Sequence, residues 1–155
     1  MDWWRILHTL SLIWLGAGIG AIWPPILRAW ATKDVQYQMY CLREAANNET
    51  RILVPGAMAT GVTGFFWAAS QNLNFFTTGW LLALWLSFIF FYLVCLPLMG
   101  WGLRRARLAA LIAAKKGEVT PDLQEVLDDR VPLVFSTVLV ISIPLMAWFA
   151  VFKPF

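Results

Sequence analysis

His8 is the only histidine in the chain, so any chemistry that needs an imidazole has to run through it. An imidazole suits haem iron and other soft or borderline metals. A single His supplies no ligand pair, however, and the residue reads two ways. It is either an axial ligand to haem b or an interfacial His bonded to water, a headgroup or a neighbouring helix. Met146 is the candidate for a second axial position, although a Met in an apolar helix more often packs than ligates. Cys41 and Cys95 are too few for a disulfide framework and form no CxxC motif. Zinc-ligand spacing, a phosphate-cradling glycine loop and a dinucleotide fingerprint do not occur, so no catalytic residue and no metal set is assigned.

The elements that must position these residues follow from charge. Residues 52 to 103 include no Asp, Glu, Lys or Arg. A bilayer-crossing helix needs about 20 apolar residues, so this run suits two antiparallel spans. Gln71, Asn72 and Asn74, with Thr77, Thr78 and Gly79, mark the turn between them. Adding the apolar runs on either side gives four spans, about 6–27, 52–70, 79–99 and 131–152, in a single transmembrane domain over 1–155. With 60% hydrophobic and 14% charged residues, the chain reads as all-α. The expected architecture is an integral membrane four-helix bundle with short amphipathic cytoplasmic helices. Asp2 and Arg5 make a poor signal-peptide start, so the first run reads as a retained span.

Helices in lipid are held by close packing, which makes small residues informative. Gly16 and Gly20 have the small-xxx-small spacing on the first span. Gly56, Thr60 and Gly64 form an i+4 ladder on the second, the expected packing centre. The third span is bulky all round. His8 shares a helical face with Ser11, Leu15 and Ile19, turned away from Gly16 and Gly20, so it need not point into the closest helix contact. Pro24 and Pro25 are expected to bend or end the first span, and Pro97 to free the Leu93 carbonyl. Residues 32–48 read as a short helix, either lying amphipathic on the membrane surface or forming a solvated linker, broken at Asn47 and Asn48. A second connector has a helix from 103 to 116, stopped by Gly117, and another started by Thr120 and Pro121.

Lys and Arg set orientation. Arg28, Lys33, Arg43 and Arg51 lie in the first connector, and Arg104, Arg105, Arg107, Lys115, Lys116 and Arg130 in the second. Only Arg5 and Lys153 lie on the other side. Positive charge stays inside, which puts both connectors in the cytoplasm and both termini on the outer, periplasmic side of a bacterial inner membrane. The net charge of +3 therefore marks topology, and no nucleic-acid partner is expected.

Leu7-His8, Trp14-Leu15-Gly16, Arg51 with Pro55, Thr63-Gly64 and Phe152-Lys153-Pro154 resemble a bacterial four-span family of predicted integral membrane proteins of unknown function. The first span, with its His followed by Trp, Gly and Pro, is also similar to those of CopD-type copper-resistance proteins and HemJ-type protoporphyrinogen oxidases. The HemJ resemblance implies a haem ligand at His8. That family's membrane Lys has no counterpart here, since no Lys lies within a span, and the Met and His clusters of a copper path are missing.

Two functions are open at this point. The absence of charge inside the spans favours a non-catalytic membrane subunit or accessory protein, partnered by the lipid bilayer and a larger membrane complex. The His-Trp-Gly first span favours a small haem-binding membrane protein for redox or porphyrin handling, with His8 as axial ligand. The two differ in their visible spectra.

Overall fold

The computed structural model describes residues 2–154, and its regular elements are all helical. Helix α1 (Trp3–Ala31) starts where the Asp2 carboxylate accepts from the Arg5 backbone N–H. Its 29 residues reach roughly 44 Å at 1.5 Å per residue, more than a bilayer's hydrocarbon core. Pro24 and Pro25 do not end it. Pro25 has no N–H for the Ala21 carbonyl one turn earlier, and the Asn48 side-chain amide donates to that carbonyl instead, at 3.1 Å. Asn48 thus repairs a proline defect in another helix.

Helix α2 (Val35–Asn48) is capped by Asp34, whose carboxylate accepts from the Gln36 and Tyr37 N–H groups. It does not break at Asn47 and Asn48. A wider, π-helical stretch over Glu49–Leu53 carries it into α3 (Val54–Ser70), giving one helical rod, Val35–Ser70, of 36 residues. The next rod, Gly79–Lys116, repeats the device: α4 (Gly79–Ile89), a π-helical stretch over Phe90–Cys95, and α5 (Leu96–Lys116). Both wide stretches lie just ahead of a proline, Pro55 or Pro97. A proline ring crowds the carbonyl four residues back, here Arg51 or Leu93, and cannot donate to it. The wide turns instead bond Val54 N–H to the Glu49 carbonyl and Leu96 N–H to that of Phe91. Gly117, at φ +74°, stops α5. Thr120 caps α6 (Pro121–Asp129), and α7 (Val131–Phe152) follows.

Four rods are long and apolar enough to cross a membrane. Their shared core is built around Leu15, Ile19 and Ile22 of α1, Leu53, Ala57, Tyr92, Met99 and Leu139. A second core lies beyond it, at the end of the bundle that carries the connectors. There Ile26 and Ala29 of α1 meet Cys41, Leu42 and Ala45 of α2, Leu103, Ala106 and Ala110 of α5, and Leu123 and Val126 of α6. The apolar face of α2 is therefore covered by protein. That face packs in a protein core, which neither a surface-lying helix nor a solvated linker would require.

The closest helix contact is α1 against α3. A Cβ placed on Gly18 would come within 2.8 Å of the Leu53 backbone, and one on Gly56 within 3.2 Å of the Leu15 backbone. A Cβ on Gly16 or Gly20 would meet nothing within 4 Å. The first-span glycine that lets α3 approach is Gly18, so the assignment of Gly16 and Gly20 to this packing is corrected. The reason is angular: the buried face of α1 runs through Ser11, Leu15, Gly18, Ile19 and Ile22, and Gly20 is on the exposed side.

Candidate functional site

His8 lies on that buried face, against the small-residue ladder. A Cβ on Gly64 would fall 2.9 Å from His8 Cε1, so the glycine lets the ring lie directly against α3 and a larger residue would have to displace it. From its helical face His8 need not have met this contact, and the geometry places its ring against Gly64 of α3. The ring also tilts against Trp67, with centroids 5.5 Å apart.

His8 Nδ1 lies 3.1 Å from Thr63 Oγ1. Thr63 Oγ1 donates to the Ala59 carbonyl at 2.7 Å and lies 3.3 Å from that of Thr60. Ser11 Oγ donates to the His8 carbonyl at 2.8 Å and lies 2.9 Å from Thr63 Oγ1. In the tautomer in which Nδ1 donates to Thr63, the lone pair is on Nε2. A hydrogen bond at one imidazole nitrogen that fixes the ring and frees the other is the usual support for a metal-ligating His. Thr60 completes the cluster by donating to the Ser11 carbonyl at 3.0 Å.

His8 opens onto a cavity of about 600 Å³ in the half of the bundle nearer the chain termini. All four rods line it. Thr60, Gly61, Gly64 and Trp67 come from α3, Trp80, Leu84, Trp85 and Phe88 from α4, Tyr92 from the wide stretch behind it, and Ile143, Met146 and Ala147 from α7. Met146 and His8 thus share one cavity. Gly16 reaches it too, which is where that glycine is placed in the absence of a helix against it. Tyr92 closes one side, its hydroxyl 3.3 Å from Ser142 Oγ of α7. Gln71, Trp80 and Lys153 stand at the end nearer the termini, with Lys153 Nζ 5.0 Å from the Trp80 ring centroid. Beside them Asp2 accepts from Trp67 Nε1 and Gln71 Nε2, both at 3.0 Å, tying the start of α1 to the α3–α4 turn.

A second polar cluster, missed from the sequence, lies at the junction of α2 and α3. Glu49 is 3% exposed, accepts from Thr50 Oγ1 at 3.1 Å, and lies 3.6 Å from the guanidinium of the largely exposed Arg104. Gly100 makes room for it, since a Cβ there would be 2.6 Å from Glu49 Oε1. Glu49 falls just before the charge-free stretch and so looks like connector. The signal that could have found it is helical register: Glu49, Leu53, Gly56, Ala57 and Thr60 continue one buried face from α3 back into α2. No group of three or more His, Cys, Asp or Glu side chains able to hold a metal ion occurs among the described residues. Cys41 and Cys95 are both free and buried, in different cores.

Four apolar helical rods, a core of close helix contacts and a cavity walled by aliphatic and aromatic side chains define an all-α integral membrane protein. Residues 3–154 match the family described as "Predicted integral membrane protein (DUF2269)", and the chain belongs to that family. No curated protein matches the chain. No solved structure matches it either.

Proposed function

We propose that the protein is a small haem-binding membrane protein in which His8 is an axial ligand through Nε2. The observation that carries this reading is the placement of the chain's one imidazole on the wall of a mostly apolar cavity, with Thr63 Oγ1 3.1 Å from Nδ1, an arrangement that suits Nε2 as the ligating atom. The residues present fit the group. The cavity's size lies in the range of small-molecule and cofactor sites, its walls are mostly apolar and aromatic, and Lys153 offers a cation for an acidic edge. Met146 is the side chain on the facing helix that suits a second axial position. Bound there, haem would supply one-electron transfer or be handled as a porphyrin. The chain's own contribution is to hold the imidazole in one tautomer, exclude water and fix the group's depth. In the bilayer we place the termini on the outer side of a bacterial inner membrane, following the Lys and Arg asymmetry.

Purification in mild detergent followed by a visible spectrum tests this reading. A Soret band is expected and should be lost in His8→Ala, with thermal unfolding showing that the variant is folded, since the ring also packs on Gly64 and Trp67. A wild-type protein that shows no Soret band after haemin is added would overturn it. One observation favours the accessory-subunit reading: Gly20 of α1 is exposed, and a Cβ there would meet nothing within 4 Å in this chain. A partner helix could pack there, and co-purification of a larger membrane complex that Gly20→Leu disrupts would support that role.

A further inference from the structure

The cavity wall is incomplete on one side. Leu12 of α1 and Ile143 of α7 both line the cavity, yet they are 46% and 41% exposed. Ala147 and Ala150 continue the same face of α7, and they too both line the cavity and are exposed. Towards the connector end the seam between the two helices is shut. There Trp23 Nε1 donates to Thr137 Oγ1 at 3.3 Å, and Leu139 is fully buried. The gap between α1 and α7 is thus confined to the half that holds the cavity. In a spanning bundle the surface at that depth faces acyl chains, so the gap opens onto the bilayer leaflet on the side of the termini.

The chemistry changes along the cavity in a direction that matches this entrance. Its middle is aliphatic and aromatic, and its only cation, Lys153, stands at the end nearer the termini over the face of Trp80. The ring face stabilises the ammonium without neutralising it. Among the described residues no carboxylate forms an ion pair with Lys153. We propose that the cavity takes an acidic amphiphile from that leaflet, its apolar body passing between α1 and α7 and its acid head resting at Lys153. This binding does not need His8 as a ligand to iron, but it uses the same cavity and the same Lys153 as the haem reading, so the two occupants would exclude each other.

The test uses full-length protein in phosphatidylcholine vesicles, with cis-parinaric acid and its methyl ester as probes. The readout is energy transfer from the protein's tryptophans. Saturable transfer is expected for the acid, with the ester about tenfold weaker, as for the loss of a charge-assisted contact. Lys153→Gln should bring the acid down to the level of the ester and leave the ester unchanged. Ala147→Phe and Ile143→Phe, both at exposed positions where a larger side chain can lean into lipid, should each weaken acid and ester alike by narrowing the gap. Phosphatidylglycerol added to the vesicles separates the two sources of such a head: competition identifies an anionic phospholipid as occupant, and its absence a free fatty acid. Transfer that rises without saturating would overturn the proposal. So would affinities that Ala147→Phe and Ile143→Phe leave unchanged in folded protein. A protein without a Soret band that still binds parinarate saturably would defeat the haem reading alone.

Discussion

At the scale of single residues, the decisive feature is what stands behind the His8 ring. Thr63 Oγ1 lies 3.1 Å from Nδ1, and a hydrogen bond donated there by the ring leaves the lone pair on Nε2. If His8 ligates haem, Thr63 is a positioning residue. Thr63→Val should then weaken haem binding about 10- to 100-fold and shift the Soret band, as loss of a hydrogen bond behind a ligating His does, while Thr63→Ser should restore both. An unchanged spectrum in Thr63→Val would show that the hydroxyl only packs. Glu49 is the other residue whose surroundings leave no slack. Gly100→Ala puts a methyl against its carboxylate and should cost roughly 1–3 kcal/mol, the usual range for overpacking. Gly16→Ala, with open space around it, should cost little. Thermal unfolding of the two variants in one detergent decides the comparison, and equal midpoints would remove Gly100 from the account of how Glu49 is housed.

At the scale of elements, small residues set where helices meet, and partner helices decide which small residues count. The ladder Gly56, Thr60 and Gly64 can be read in the sequence because its spacing keeps one face over about two turns. All three positions lie against α1 through Leu15, Ser11 and His8. Gly16 and Gly20 have an equally good spacing but lie on the wrong side of α1, and nothing local distinguishes them from Gly18. Only the position of Leu53, brought in by the wide turn at Glu49–Leu53, makes Gly18 the close contact. The same turn hid the continuity of α2 with α3. Asn47 and Asn48 read as helix breakers on propensity, but Asn48 is held inside the helix by the carbonyl that Pro25 leaves without a donor. Gly18→Leu and Gly64→Leu should therefore both lower the thermal midpoint in detergent well beyond Leu82→Ala on the loosely packed α4. Gly64→Leu should also displace His8, and a Gly64 variant as stable as wild type would contradict the α1–α3 packing.

At the scale of the whole molecule, the two cores meet different solvents, and this bears on orientation. The core between the spanning segments is surrounded by lipid. The core of α2, α5 and α6 against the end of α1 instead carries a surface of charged residues, including Arg105 with its partners Glu125 and Asp129. Those exposed ion pairs add little, about 0–1 kcal/mol, so the connector core rests on burial of Leu42, Leu103 and Leu123. Leu103→Ala should then cost roughly 2–5 kcal/mol, the range for emptying a packed core position. Charge alone marked the connector end as the more basic one, since Lys and Arg cluster there and the termini carry few. Its packed form was not legible, because Ala-rich helices have no strong apolar stripe until their neighbours are known. Reporter fusions settle the orientation. Gly117 stops α5 with a left-handed turn, and Glu118 and Val119 lie exposed between helices, so an insertion after Glu118 leaves the connector core intact. A reporter active only in the cytoplasm should work there and stay silent when fused beyond the last residue. The reverse pattern would invert the molecule, placing the His8 cavity and Lys153 at the cytoplasmic leaflet, and any acidic amphiphile reaching the gap between α1 and α7 would then have to come from that side.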